Sequence, residues 1–297
     1  MIHSHSIWKG TGSLYFWSLL TCFLWATSYI AIRLGLDEFP PLTLTALRHV
    51  IAALVLLPAI ASSKELRQEA RNAAVWPIVV YGLLQTAGAF GFLTASIMLI
   101  APGRASIINN THPFYTLVLA GILLHEHITR WKVLSLLLGF GGILLVLVPG
   151  LGGAATNASG NLLALCAALC FSMANTYGRK ISRDYDTRVL TAGQMLAGSI
   201  VLLVLSVLFE RPDFGHVSSY GWIALLYLAI FSSLLPYLIW THLLKYHEAS
   251  RLSLFVFSIP VLASVLSFII FGERFSSSTL LGLGLITGGL LLIGRGR

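Results

Sequence analysis

Gly103-Arg104-Ala105-Ser106, then Thr111-His112-Pro113, His125-Glu126 and Gly141-Gly142, is the succession that decides how this chain is read. It returns as Ser250-Arg251-Leu252-Ser253, Ser258-Ile259-Pro260, Gly272-Glu273 and Gly288-Gly289. A shift of 147 residues lays Arg104 on Arg251, Ser106 on Ser253, Pro113 on Pro260 and Glu126 on Glu273. The same shift superposes the two glycine pairs. Six punctuating positions in register, without a gap, mark a duplicated unit of about half the chain.

The background of the repeat is apolar. Of 297 residues, 57% are hydrophobic and 10% charged, where a soluble domain carries about 25% charged residues. So few charges cannot cover a soluble fold of this length. Apolar runs near the ~20 residues that cross a bilayer as helix recur from end to end. The short alternating segments of an outer-membrane barrel are absent from the sequence. The fold class is therefore all-α and polytopic. Ten spans are expected near residues 13–33, 41–61, 74–99, 104–124, 130–149, 160–180, 188–209, 219–243, 251–271 and 277–294. This divides the chain into a tail at 1–12, a first five-helix repeat at 13–149, a linker at 150–159, a second repeat at 160–294 and a tail at 295–297. Met1 to Gly12 and the run after it show no cleavable signal pattern.

Lys and Arg orient the spans. With the N-terminus in the cytoplasm, fourteen of them fall on cytoplasmic loops and tails, four fall outside, and Arg48 lies within a span. That bias follows the positive-inside rule, so the net charge of +8 is read as topology and not as a nucleic-acid surface. Five spans per unit is an odd number, so the second unit enters the membrane in the opposite sense. Inverted repeats around a central cavity are an architecture of secondary transporters.

Beyond the repeat itself, Trp25-Ala26-Thr27-Ser28 with Ile32-Arg33, Pro40-Pro41-Leu42-Thr43 running to Leu47-Arg48, and Gly272-Glu273-Arg274 stand in a characteristic order. Together with Gly103 to Ser106, Pro113, His125-Glu126, Arg251, Pro260 and Gly288-Gly289, they make the chain resemble the drug/metabolite transporter superfamily. The resemblance is to its ten-span EamA-type members, over nearly all of residues 13–294. It implies a plasma-membrane carrier, often an exporter of amino acids or related metabolites, with a cavity between two five-helix halves. In one respect the chain departs from the superfamily. The four-span multidrug members carry a proton-exchanging Glu in their first helix, and Leu14 to Ile32 holds no acid.

Several residues are candidates for the work. Arg104 and Glu126 are 22 residues apart, as are Arg251 and Glu273, about 33 Å along a helix and one bilayer core. In an inverted arrangement Arg104 meets Glu273 at the outer face and Arg251 meets Glu126 at the inner face, as gating charges. The rival reading makes each Glu a cap on the helix that follows it. Pro113 and Pro260 lie mid-span and are expected to kink their helices. The polar run from Asn109 to His112 needs protein or water around it. Asn109, His112 and Thr116 share a helical face and are the first candidates for substrate contact, with interhelical hydrogen bonding as the alternative. Gln85, Thr86, Asn175, Tyr237, Trp240, Trp25 and Ser28 are further substrate-binding candidates; Thr241 is another. Packing or interface anchoring would explain any one of them equally. Arg48 either holds an anionic group or snorkels towards Asp37 or Glu38.

Phosphate-loop, zincin and nucleophile-elbow motifs are absent from the sequence, and His125-Glu126-His127 lacks the spacing for a helical zinc site. Cys22, Cys166 and Cys170 lie in apolar runs and read as small buried hydrophobes. No cofactor or metal is expected, and the partners are a small-molecule substrate and the bilayer, with no nucleic acid. The oligomeric state stays open, a monomer included. The expectation is a carrier working by alternating access that exports amino acids or similar metabolites. A nucleotide-sugar or other anionic-metabolite carrier is the runner-up, ahead of a channel or an intramembrane enzyme.

Overall fold

A computed structural model describes residues 11–100, 102–147, 157–259, 261–262, 265–266 and 277–292. Every regular element among them is helical. We number them α1 Thr11–Leu36, α2 Pro41–Ser62, α3 Lys64–Asn72, α4 Val75–Ile97, α5 Pro102–Asn109, α6 His112–Leu124 and α7 Arg130–Leu147. The second half supplies α8 Ala158–Ile181, α9 Thr187–Phe209, α10 Ser219–Tyr246, α11 Ala249–Phe255 and α12 Ser277–Leu292.

Six described stretches are long and apolar enough to cross a membrane: α2, α4, Ile107–Leu124 across the α5–α6 junction, α8, α9 and α10. Of the other expected spans, α1, α7 and α12 occupy three, and 251–271 is described over 251–259, 261–262 and 265–266. Phe16, Leu54, Ile122, Leu123, Leu208, Phe209 and Leu281 stand exposed on the outside of the bundle. An apolar exterior of this kind suits lipid and not water. Where both first turns are described, the helix starts agree with the sequence shift to within one residue: Pro41 of α2 and Thr187 of α9.

The halves interleave. The most extensive packing joins a first-half helix to a second-half helix: α7 to α12, α2 to α9, α1 to α10, and α4 to both α8 and α9. The glycine pairs explain the closest of these. A Cβ on Gly142 would lie 2.5 Å from the Gly282 carbonyl oxygen, and one on Gly289 would lie 2.9 Å from that of Ser135. Gly141 and Gly288 face open space. One glycine of each pair thus lets α7 and α12 approach backbone to backbone, as small residues do in membrane helix pairs.

Carboxylates tie the halves at the helix ends. Glu210 accepts from the Leu42 and Thr43 amides, at 2.6 and 2.8 Å, capping α2. Glu126 caps α11, Glu38 accepts from the Ser218 amide and hydroxyl at 2.9 and 2.6 Å before α10, and Glu69 accepts from the Asp186 amide before α9. Each places an anion at the positive end of a helix dipole, and each acid and its helix belong to different halves.

α4 and α10 share an irregularity. Both change to π-helix midway, at Leu83–Phe90 and Leu228–Leu234. Such wide turns rotate the side chains beyond them and recur at functional sites. The α5–α6 rod is also broken: Asn110 and Thr111 form a turn, and Pro113 begins α6 where its missing N–H costs nothing. The equivalent break in the second half comes at Val256–Phe257, after α11. Pro260, expected to kink there, lies outside the described residues.

Candidate functional site

The broken helices and the two π-segments surround a cavity of about 570 Å³. Both halves line it: Trp25 and Ser28 from α1, Arg48 from α2, Gln85 and Phe90 from α4, Asn109 and His112 from the α5–α6 break, Phe171 and Asn175 from α8, and Ser232, Tyr237 and Trp240 from α10. One end reaches Leu36, Asp37 and Pro41, where Leu36 and Asp37 are exposed. The opposite end is floored by a core that includes Cys22, Leu117, Trp240, Leu252, Phe255 and Phe257.

Aromatic rings make the walls. Trp25 lies 5.3 Å from Trp240 and 5.8 Å from Tyr237, ring centre to ring centre. Phe90 lies 5.2 Å from Phe171, and Phe171 lies 5.6 Å from the His112 ring. Offset and edge-on contacts at these spacings hold the rings without filling the space between them. Their polar handles are fixed as well. The Trp240 indole donates to Asn175 at 2.9 Å, the Trp25 indole to the Ser232 carbonyl at 3.2 Å, and the Gln85 amide to the Tyr237 hydroxyl at 3.1 Å.

Eight of the ten residues singled out for substrate contact line this cavity: Asn109, His112, Gln85, Asn175, Tyr237, Trp240, Trp25 and Ser28. Thr116 and Thr86 do not. The Thr116 hydroxyl donates to the His112 carbonyl and to Ser172, and Thr86 donates to Gln194 at 2.7 Å, both in helix–helix contacts. Thr116 lies one turn beyond His112, past the cavity wall. The π-segment turns Thr86 towards α9 while its neighbour Gln85 faces inward. Thr241 is likewise buried and off the lining.

Of the two expected charge pairs, the described residues bear on Arg251 with Glu126. Glu126 does sit beside the helix that carries Arg251, but its carboxylate takes the Ala249 and Ser250 amides, at 2.8 and 3.1 Å, and the Ser250 hydroxyl at 2.5 Å. It caps a helix of the other half, neither pairing with the guanidinium nor capping the helix that follows it. Lys132 completes the cluster: buried, it donates to Ser250 Oγ and the His127 carbonyl, both at 2.9 Å, and pairs with Glu248 at 2.8 Å. Next to it, Arg179 donates to the Leu244 carbonyl. The cluster closes the end of the bundle opposite Asp37. Glu273 and the Arg104 side chain lie outside the described residues.

Arg48 settles inward. Its guanidinium carbon stands 4.8 Å over the Phe90 ring, and its side chain lines the cavity. Snorkelling towards Glu38 does not occur, because both Glu38 oxygens are held by Ser218. Those same bonds, the Ser218 hydroxyl's first, keep the Glu38 carboxyl below its ordinary pKa. Thr45, Thr94, Phe90 and Phe171 also line the cavity without having been singled out. Thr94 is legible only through the π-segment, which sequence periodicity does not reveal.

Comparison with known proteins agrees with this build. An uncharacterized transporter of Archaeoglobus fulgidus is 27% identical over 94% of this chain and 97% of its own. A probable amino-acid metabolite efflux pump of Salmonella typhimurium is 27% identical over 93% of each chain. A protein of the same description from Escherichia coli is 24% identical over 93% and 92%. A solved crystal structure shares the fold at a TM-score of 0.82, with 23% identity over 95% of this chain and 96% of its own. The model of the EamA-like transporter family matches residues 12–148 and matches again at 158–295. Matched in both halves, with an apolar exterior around a polar and aromatic cavity, the chain is a membrane protein of the EamA-like transporter family.

Proposed function

We propose that the chain is a secondary carrier that exports amino acids or related small metabolites across the plasma membrane by alternating access. The observation that carries this reading is the cavity: both halves line it, it combines aromatic walls with fixed amides, and it reaches the exposed Leu36 and Asp37. Its volume lies in the range of small-molecule sites, roughly 300–1,000 Å³. Two relatives described as probable amino-acid metabolite efflux pumps support the substrate class. A nucleotide-sugar would want several cations, and Arg48 is the one cation among the described lining residues.

The two halves, 13–149 and 160–294, cross the membrane in opposite senses in this reading. The double family match supports it. So does the pairing of equivalent helices, α2 with α9 and α7 with α12, which a twofold axis between the halves would produce. With both termini cytoplasmic, as the Lys and Arg bias favours, the Asp37 end of the cavity faces outward and the Lys132–Ser250–Glu126 cluster seals the cytoplasmic end. Asn109, His112, Gln85, Asn175, Tyr237, Trp240, Trp25 and Ser28 contact the substrate.

Counterflow in proteoliposomes with a panel of labelled amino acids tests the reading. Uptake of at least one of them, lost in an Asn109→Ala, His112→Ala double variant, is the expected result. Full activity in that variant would remove the site. An absence of counterflow for every amino acid would remove the substrate class.

A further inference from the structure

Arg48 lies in α2 well inside the span and is 5% exposed. Among the described residues no carboxylate pairs with it, and its Nε has no hydrogen-bond partner. Phe90 covers one face of the guanidinium but accepts none of its donors as a carboxylate would. A buried cation in a membrane span is costly and marks a functional site unless it is paired. Here the missing partner would have to come from the cavity.

The other open groups in the cavity are two amide oxygens and an imidazole nitrogen. Gln85 Oε1, Asn109 Oδ1 and His112 Nδ1 are buried without partners, and all three residues line the same space as Arg48. The Gln85 amide nitrogen donates to the Tyr237 hydroxyl, which leaves its Oε1 as the group without a partner. Tyr237 is the neighbour of Phe90, with ring centres 6.1 Å apart. The cavity therefore offers one fixed positive fork, two neutral amide acceptors and aromatic walls. Among the described residues its one lining acid is Asp37, exposed at the mouth.

We infer that Arg48, held against Phe90, is the subsite for the carboxylate of a monocarboxylate substrate, with the Gln85 and Asn109 oxygens receiving its ammonium group. The matching ligand class is the zwitterionic α-amino acid with an apolar or aromatic side chain, packed against Trp25, Phe171 and Trp240. Two carboxylates would leave one unpaired, and a simple amine would leave Arg48 unpaired, so both are rejected. Planar, bidentate recognition of a carboxylate is what a guanidinium does better than an ammonium. This inference rests on the carrier reading and adds which end of the substrate the protein reads.

The test uses the wild-type protein in proteoliposomes, with counterflow of labelled phenylalanine, leucine and threonine. Competitors are each amino acid, its methyl ester, and the phenylalanine analogues phenylpropanoate and phenylethylamine. Esters and phenylethylamine are expected to compete on the order of 100-fold more weakly than the amino acid, the loss incurred when a buried charge is left without its partner. Arg48→Gln is expected to bring acid and ester within about threefold of each other, and Arg48→Lys to keep an intermediate preference. Esters that compete as well as acids against the wild type overturn the subsite without any variant. An Arg48→Gln protein that transports with unchanged KM and unchanged acid-over-ester preference overturns it while the carrier reading stands. The reverse outcome is read from melting temperatures of purified protein. If no amino acid is carried, yet phenylpropanoate stabilises the wild type and not Arg48→Gln, the subsite stands and the amino-acid reading falls.

Discussion

Glu126→Gln tests whether the sealed end of the cavity is a latch. The carboxylate makes three bonds to α11, two to backbone amides and one to the Ser250 hydroxyl. A glutamine keeps one acceptor oxygen but turns an NH₂ group towards the Ser250 donors. The loss is one charge-assisted bond, about 1.5–3 kcal/mol, plus a dipole contribution of about 0.3–1 kcal/mol. Because Glu126 is only half-buried, we take the lower part of that range, about 2 kcal/mol. If this bond is made only while the Glu126 end is closed, the population open at that end rises about 30-fold. The assay is maleimide labelling of Ser28→Cys, a cavity position, with Cys22, Cys166 and Cys170 replaced, from each side of oriented vesicles. Labelling from the Glu126 side is expected to rise about 30-fold. Glu38→Gln serves as control, since its bond to Ser218 is made with the Asp37 end already open. A lowered melting temperature with no change in labelling from either side would refute the reasoning. The bond would then persist through the whole cycle as a fastening.

Three further outcomes are expected. Gly142→Ala pushes a methyl into the Gly282 carbonyl and Ile286 and should cost about 1–3 kcal/mol by thermal unfolding; Gly141→Ala, facing open space, should be neutral or slightly stabilising. Thr116→Val breaks the contact with Ser172 and should lower stability by about 1 kcal/mol with the transport KM unmoved, in contrast to Asn109→Ala. Glu38 has a folded pKa below its ordinary 4.5, held there by the Ser218 hydroxyl and then its amide. Its contribution to stability is therefore present at neutral pH and lost as pH falls through the folded value. The melting-temperature gap between wild type and Ser218→Ala should shrink on acidification below about pH 4.5 and stay constant from pH 6 to 8.

Much of this fold is written in the sequence at the level of period and punctuation. The 147-residue shift carries the break in the helix as well as the motifs, from Asn110 to Phe257, because each unit repeats the same breakers. Composition points to lipid because ten charges per hundred residues cannot cover a water-facing surface. The cavity was legible through its polar residues, since an amide or imidazole inside a span needs something other than hydrocarbon beside it. What escaped is azimuth. A strict 3.6-residue period puts Thr116 with His112 without telling that the cavity ends one turn earlier, and it leaves Thr94, beyond the π-segment of α4, undistinguished. No residue type announces a π-turn; this one lies where α4 and α9 pack so closely that Gly82 and Gly198 leave no space for a Cβ.

The acids show the same limit from the other side. Their confinement to loops and helix ends is plain in the sequence, and helix capping is the physical reason for it. Capping the next helix in the chain is the local solution, yet Glu126, Glu210, Glu38 and Glu69 all bond the other half. The interleaving of the halves brings a foreign helix N-terminus closer to each carboxylate than its own successor. That choice bears directly on Arg48. With Glu38 bound to Ser218 and Glu210 to the first amides of α2, Asp37 is the acid left near the start of α2 among the described residues, and it stands exposed at the mouth. With an aromatic face beside it, the guanidinium turns inward, where Phe90 holds it in the cavity. The capping that fastens the halves at the open end thus also leaves the cavity its one buried positive charge.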